Sequence, residues 1–156
     1  MLNPMTVSVI FVLAVIVLCL AKPDAGRIFL GFFYLAMAIG INMVTVLTNP
    51  QSYVEMGKDS FIPLYRELFT RVVALNPALF VLPITAFQMA MALLILSKQR
   101  YVKAGLIGTM VFVIAITPLG TIQLPWMGMV LAQGYLLTKE FDTTFLEIVR
   151  SKLRPK

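Results

Sequence analysis

Residues Ala104–Thr138 read AGLIGTMVFVIAITPLGTIQLPWMGMVLAQGYLLT and contain no charged side chain. A single α-helix of this length would extend for about 52 Å, whereas the hydrocarbon core of a bilayer is only about 30 Å thick. Pro118-Leu119-Gly120 stands near the middle of the run, and proline and glycine together favour a turn over a continuous helix. The run therefore predicts two antiparallel crossings, at about residues 102–117 and 124–137, joined by a tight hairpin. A re-entrant element at 118–125, which would give four crossings in place of five, is the alternative interpretation.

The rest of the chain is equally apolar. Hydrophobic residues make up 60% of the sequence and charged residues 13%, against roughly 45–50% and about 25% in soluble domains. Three more apolar runs, at about 5–21, 27–48 and 78–97, each approach the ~20 residues that a crossing helix needs. The first run has no Lys or Arg before it and no convincing cleavage site after it, so it is interpreted as a retained span and not as a signal peptide. The sequence thus predicts an all-α fold, a polytopic membrane helix bundle with five transmembrane spans in a single membrane domain.

Basic residues fall unequally on the two sides of such a bundle. One side holds ten and the other three: Lys22, Arg27, Lys98, Arg100, Lys103, Lys139, Arg150, Lys152, Arg154 and Lys156 against Lys58, Arg66 and Arg71. Because Lys and Arg concentrate on the cytoplasmic side, the N-terminus is expected outside a prokaryotic cytoplasmic membrane and the C-terminus inside. The basic tail, 138–156, is expected to bind anionic lipid. Since topology already accounts for the net charge of +6, a nucleic-acid partner is not predicted.

The segment between the second and third spans carries an amphipathic pattern at residues 61–75. Its apolar side chains recur at spacings of three and four, which is typical of a helix with one apolar face; they are Phe61, Leu64, Tyr65, Leu68, Phe69, Val72 and Val73. Two interpretations remain open. The helix lies on the outer leaflet with this face in the lipid boundary, or it forms a lid over a cavity between the spans.

The inventory of reactive side chains is small. The sequence has no His, one Cys and seven carboxylates, which removes His-based acid–base catalysis, a Ser-His-Asp triad and Cys/His zinc sites. No catalytic residue and no metal ligand is therefore predicted.

Amides and hydroxyls at membrane depth are the remaining candidates for binding. Asn42 and Thr45 are three residues apart in the second span, as are Thr85 and Gln88 in the third, so each pair shares a helix face. Facing one another, the pairs could bind a small polar head such as a quinone carbonyl, or they could act as hydrogen-bonding glue between helices. Arg27, at the entrance to the second span, is expected to extend its guanidinium to the lipid headgroups.

Residues 26–141 resemble the DoxX-like family of small membrane proteins. The resemblance is carried by four short segments, which are Gly26-Arg27-Ile28-Phe29-Leu30-Gly31-Phe32-Phe33, Gln88-Met89-Ala90-Met91-Ala92-Leu93-Leu94, Lys98-Gln99-Arg100-Tyr101-Val102-Lys103-Ala104-Gly105 and Ala132-Gln133-Gly134-Tyr135-Leu136-Leu137. It implies a four-helix membrane core, here spans two to five, with the first span as an addition. Arg27 and Gln88 are the positions of interest, so Arg27 joins Asn42, Thr45, Thr85 and Gln88 as a candidate ligand-binding residue. Gln88 stands where the family usually has Glu, and Asn42 follows Gly40 where the family has Lys.

This resemblance also implies a function. Some members of the family are subunits of thiosulfate:quinone oxidoreductase, and others associate with membrane oxidoreductases in redox defence. The expected function is therefore a membrane subunit or anchor that binds a quinone or another lipophilic molecule, with a membrane or peripheral oxidoreductase partner supplying the chemistry. The alternative is a small transporter or lipid-binding protein with no redox role; independent enzymatic activity is the least expected. The sequence leaves oligomer formation open.

Overall fold

A computed structural model describes residues 3–153, and within them all regular secondary structure is helical. The α-helices are α1 Pro4–Ala21, α2 Pro23–Ala36, α3 Val44–Thr48, α4 Gln51–Lys58, α5 Pro63–Glu67, α6 Pro77–Ile95, α7 Arg100–Ile116, α8 Gly128–Leu137 and α9 Phe145–Leu153. Wider π-helical turns occupy Met37–Met43 and Leu68–Val72, and 3₁₀ turns occupy Val73–Leu75, Thr117–Leu119 and Thr121–Met127. Arg154 and Lys156, which belong to the predicted basic tail, lie outside the described residues.

Four helical segments are long and apolar enough to cross a membrane: Pro4–Ala21, Pro23–Thr48, Pro77–Ile95 and Arg100–Leu119. The second of them is α2, the π-helical turn and α3 running on as one rod of 26 residues. The prediction of an all-helical membrane protein is confirmed at this level. The predicted helix at 124–137 is shorter than expected, because α8 has 10 residues and the chain before it is a 3₁₀ helix containing Pro125. Proline has no N–H to donate to an α-helix.

Local sequence explains where the long helices begin. Pro4, Pro23 and Pro77 each occupy the first turn, where the missing N–H costs nothing. The side chain of Asn3 accepts from Met5 N at 3.0 Å and caps α1. The helix α4 was not predicted, because its eight residues carry no long apolar run.

α7 and α8 are antiparallel neighbours, as the predicted hairpin requires. Gln99 N, before α7, donates to the carbonyl O of Phe141, after α8, at 2.7 Å. Farther along, Thr109 Oγ1 donates to Gln133 Oε1 at 2.5 Å. The start of α7 thus contacts the residues after α8, and later residues of α7 contact earlier residues of α8. The two helices are therefore antiparallel, and the chain reverses near Gly120.

The helices approach closely where glycine replaces a side chain. A Cβ on Gly105 of α7 would lie 2.6 Å from the carbonyl O of Met91 and 2.7 Å from Ile95 N, both in α6. By contrast, a Cβ on Gly134 of α8 would meet no atom within 4 Å. Gly105 is therefore a packing requirement of the α6–α7 pair, whereas Gly134 is not.

α9 begins with a capping box that the sequence analysis missed. Thr144 N donates to Glu147 Oε2 at 2.7 Å, and Glu147 N donates to Thr144 Oγ1 at 3.1 Å. Glu147 also pairs with Lys98 at 3.2 Å. The backbone hydrogen bond from Thr144, and then the bond from Lys98, lower the pKa of Glu147. The spacing Thr144-x-x-Glu147 is the signal that could have found this helix start.

Candidate functional site

Arg27 is fully buried, which contradicts the expectation that its guanidinium reaches the headgroups. Its Nη1 donates to the carbonyl O of Ser97 at 2.7 Å and to that of Ile95 at 3.4 Å. Its Nη2 donates to the carbonyl O of Thr143 at 2.5 Å, and the guanidinium carbon lies 4.8 Å from the centre of the Phe141 ring. Its Nε donates to Asp24 Oδ1 at 3.2 Å and forms an ion pair with that exposed carboxylate. Three backbone carbonyls and one carboxylate thus hold the charge, so the side chain has no need to reach water.

These contacts make Arg27 a structural connection at one end of the bundle and not a part of a cavity. It joins the start of α2 to the end of α6 and to the segment before α9. Asn42 is 15 residues further along the same rod, or about 22 Å at 1.5 Å per residue. The structure therefore does not bring Arg27 together with the other predicted site residues.

Asn42 and Gln88 do meet, as the sequence predicts. Asn42 Nδ2 donates to Gln88 Oε1 at 2.7 Å across the gap between the π-helical turn and α6. The Gln88 residue is 2% exposed, and within residues 3–153 its Nε2 makes no hydrogen bond. Since no fully buried side-chain N or O in this range lacks a partner, Nε2 is not enclosed and opens onto the neighbouring space. One end of this amide is engaged by Asn42, and the other end is available.

Tyr53 of α4 completes this group, and the sequence analysis did not single it out. Its hydroxyl donates to both the backbone O and Oδ1 of Asn42, each at 3.2 Å. Burial raises the pKa of Tyr53, and a side-chain hydrogen bond with Thr45 opposes that rise. The turn signal Asn49-Pro50 could have indicated it, since a reversal there returns the next helix to the end of the second span.

Thr85 lies in the same region, but its hydroxyl group donates a hydrogen bond to the backbone. Its Oγ1 donates to the carbonyl O of Val81, one turn earlier, at 2.9 Å. Asn42, Thr85 and Gln88 all line one cavity, whereas Thr45 lines none of the three cavities. Three of the five predicted binding residues therefore share a site, and Arg27 and Thr45 do not belong to it.

Two adjoining cavities surround the Gln88 amide. The first has a volume of about 260 Å³ and the second about 200 Å³, and Gln88 and Gln123 line both. Every residue that lines either cavity is uncharged. The space is thus apolar with a few converging amides, which is typical of small-molecule sites.

An aromatic wall closes the first cavity. Phe33 and Trp126 both line it, with their ring centres 5.7 Å apart and their planes at 22°. Phe11 of α1 packs behind both rings, at 5.2 and 5.8 Å. A flat, uncharged group beside Gln88 would therefore lie against aromatic faces.

A third cavity, of about 560 Å³, lies under residues 63–75, where the sequence predicts an amphipathic helix. Tyr65, Leu68, Phe69 and Val73 line it, while Leu64 and Val72 do not line it and are 71% and 40% exposed. The predicted apolar face therefore divides into side chains that line the cavity and side chains that do not.

A second cluster of polar side chains, away from Gln88, consists of Tyr34, Thr109 and Gln133. Gln133 Nε2 donates to the Tyr34 hydroxyl at 2.7 Å, and Gln133 Oε1 accepts from Thr109 Oγ1. All three side chains are buried. They join α2, α7 and α8 and act as hydrogen-bonding glue.

Within the described part of the chain, no group of three or more His, Cys, Asp or Glu residues could hold a metal ion. The amides, the phenol and the aromatic wall can bind an uncharged molecule by hydrogen bonds and packing. Comparison with family models, with curated proteins and with solved structures gave no match to this chain. The resemblance to the DoxX-like family therefore stays a prediction.

Proposed function

We propose that this chain is a non-catalytic membrane protein of DoxX-like type that binds an uncharged lipophilic molecule, such as a quinone, beside Gln88. The observation that carries the proposal is the position of the Gln88 amide, which lines two cavities while its Nε2 makes no hydrogen bond within the described residues. A carbonyl oxygen of the ligand would accept from Nε2, and its ring would lie against Trp126. A membrane oxidoreductase partner would oxidise or reduce the bound molecule.

The binding is expected to be visible in the fluorescence of Trp126, which is the only tryptophan of the chain. In nanodiscs, a benzoquinone carrying a decyl chain should quench it in a saturable way, because the ring comes into contact with the indole. The variant Gln88→Leu removes one hydrogen bond, which contributes about 0.5–1.5 kcal/mol, so the affinity should fall by about two- to tenfold. The measurement is a fluorescence titration at fixed lipid content.

Gln51→Leu is the matched control, because Gln51 is exposed at the start of α4 and lines none of the three cavities. It should titrate like the parent chain. Quenching that does not saturate, or that is equal in all three proteins, would contradict the proposal. Extraction of a redox-inactive lipid, with no quinone, from the purified chain would favour the lipid-binding alternative.

We also infer five crossings, with the N-terminus outside and the basic tail in the cytoplasm. Counting the 3₁₀ helix Thr121–Met127 at about 2 Å per residue and α8 at 1.5 Å, the second arm of the hairpin extends for about 29 Å. The contacts at the two ends of this arm support a fifth crossing. Ser60 Oγ donates to the carbonyl O of Pro118 at 2.6 Å, which places the tip of the hairpin beside the segment after the second span. Phe145 N donates to the carbonyl O of Leu96 at 3.0 Å, which places the tail beside the opposite turn.

Cysteine labelling in a Cys19→Ala background tests this topology. Five crossings predict that Lys58→Cys and Ser151→Cys, both at exposed positions, react with an impermeant maleimide from opposite sides of sealed vesicles. Gln99→Cys should react from the same side as Ser151→Cys, because residues 96–99 bind the tail. Labelling of the Lys58 and Ser151 variants from one side would overturn the five-crossing arrangement.

A further inference from the structure

The third cavity differs in chemistry from the first two. Its only polar side-chain group is the Tyr65 hydroxyl, and none of its lining residues is charged. Leu79, Ile84 and Val111, which line it, are 64%, 47% and 57% exposed on the outside of the bundle. In a membrane that outer surface meets lipid, so the cavity opens sideways into the hydrocarbon.

The third cavity also shares lining residues with the cavities beside the Gln88 amide. It shares Phe69, Val81, Ile84, Phe112, Ile116 and Leu119 with the second cavity, and the second shares Gln88 and Gln123 with the first. Phe112 and Ile116 of α7 line all three. The spaces therefore follow one another along a single wall, from the lipid-facing side to the buried amide.

Phe69 lies between the second cavity, which the amides line, and the apolar third cavity. It lies in the π-helical turn Leu68–Val72 and lines both the second and the third cavity. A Cβ on Gly57 would overlap the Cβ and Cγ of Phe69, so α4 packs directly against this side chain. The helix that supplies Tyr53 to the amide site thus also positions the aromatic side chain between the two cavities.

We propose that the third cavity is the subsite for the hydrocarbon chain of the ligand, and that this chain enters sideways from the bilayer beneath residues 63–75. The proposal rests on the proposed function, because it assigns the head of the same molecule to Gln88. One molecule with an uncharged carbonyl head and a single chain fits the order of the cavities, from amides to apolar wall. A charged headgroup does not fit, since no opposite charge lines any of the three spaces.

Photolabelling locates the chain directly. The probe is a benzoquinone whose alkyl chain ends in a diazirine, incorporated with the full-length protein in nanodiscs and mapped by mass spectrometry. Labelling is expected on α6 and α7 around Phe87 and Val111, both of which line the third cavity. An excess of unlabelled decyl benzoquinone should reduce that labelling severalfold, while diffuse labelling elsewhere on the lipid-facing surface should persist.

A pair of variants on one helix provides the control. Ala115 lines the third cavity and Ala104 does not, yet both are exposed on α7 and stand three turns apart on one face. Ala115→Phe should reduce the competed labelling severalfold, and Ala104→Phe should leave it unchanged. Saturable quenching of Trp126 without localised labelling, or equal labelling in the two variants, would overturn the chain subsite and leave the proposed function standing. Absence of saturable quenching would overturn both.

Discussion

Replacing Arg27 with leucine is expected to cost several kcal/mol of stability and to release the C-terminal segment. The side chain makes its two shortest hydrogen bonds to the carbonyls of Ser97 and Thr143, and a hydrogen bond to a charged group contributes about 1.5–3 kcal/mol. Thermal unfolding followed by circular dichroism in detergent measures the loss. Limited proteolysis should cut near Thr143 in the variant before it cuts the parent chain.

Two further variants make the result specific. Arg100→Leu is the matched control, because Arg100 also begins a helix at the same end but is exposed and contacts only Tyr101 through its side chain; its unfolding temperature should be close to that of the parent. Arg27→Lys should recover only part of the loss, since an ammonium lacks the planar fork that reaches several carbonyls at once. Equal unfolding temperatures for Arg27→Leu and Arg100→Leu would show that the buried contacts contribute nothing.

The second large effect is expected from Gly105→Ala. The added methyl group would lie 2.6 Å from the carbonyl O of Met91, and a backbone atom cannot move aside without shifting α6. Overpacking of this kind typically costs about 1–3 kcal/mol. The free energy of unfolding, measured in mixed micelles by titration with a denaturing detergent, should fall by that amount.

Gly134→Ala is the matched substitution in a neighbouring helix. A Cβ there has no atom within 4 Å, and alanine is favoured over glycine in a helix by about 1 kcal/mol. The variant should therefore be as stable as the parent or more stable. A destabilisation of Gly134→Ala as large as that of Gly105→Ala would mean that close approach of α6 and α7 is not the cause.

The four long apolar helices could be predicted because each depends on local sequence, and the meeting of Asn42 with Gln88 because polar groups among apolar helices favour one another. An uncharged run of sufficient length specifies a crossing helix, and two amides on helix faces at membrane depth favour mutual hydrogen bonds. The short length of α8 was harder to predict from the sequence. Pro125 indicates a weak helix start, but whether the preceding residues form a turn or a 3₁₀ helix depends on packing against α1.

Arg27 and Tyr53 show what sequence alone could not supply. Asp24, three residues earlier, is the one partner of Arg27 that the sequence could indicate. The other three partners are backbone carbonyls far away in the chain, and a carbonyl belongs to every residue and so leaves no compositional trace. Tyr53 belongs to a short helix whose position depends on the contact between Gly57 and Phe69. Such contacts arise from tertiary packing, which periodicity does not encode.

The buried Arg27 also has a consequence for the order of events during synthesis. Its partner Thr143 is 116 residues further along the chain, and at about 5–20 residues per second the ribosome needs roughly 6–23 s to make that distance. Throughout this interval the Arg27 guanidinium has the Asp24 carboxylate beside it but lacks the Thr143 carbonyl. Closure of this end of the bundle therefore waits for the last part of the chain, and a chain truncated before Thr143 would keep the contacts of Arg27 with Asp24, Ile95 and Ser97 but lose the bond that holds the C-terminal segment.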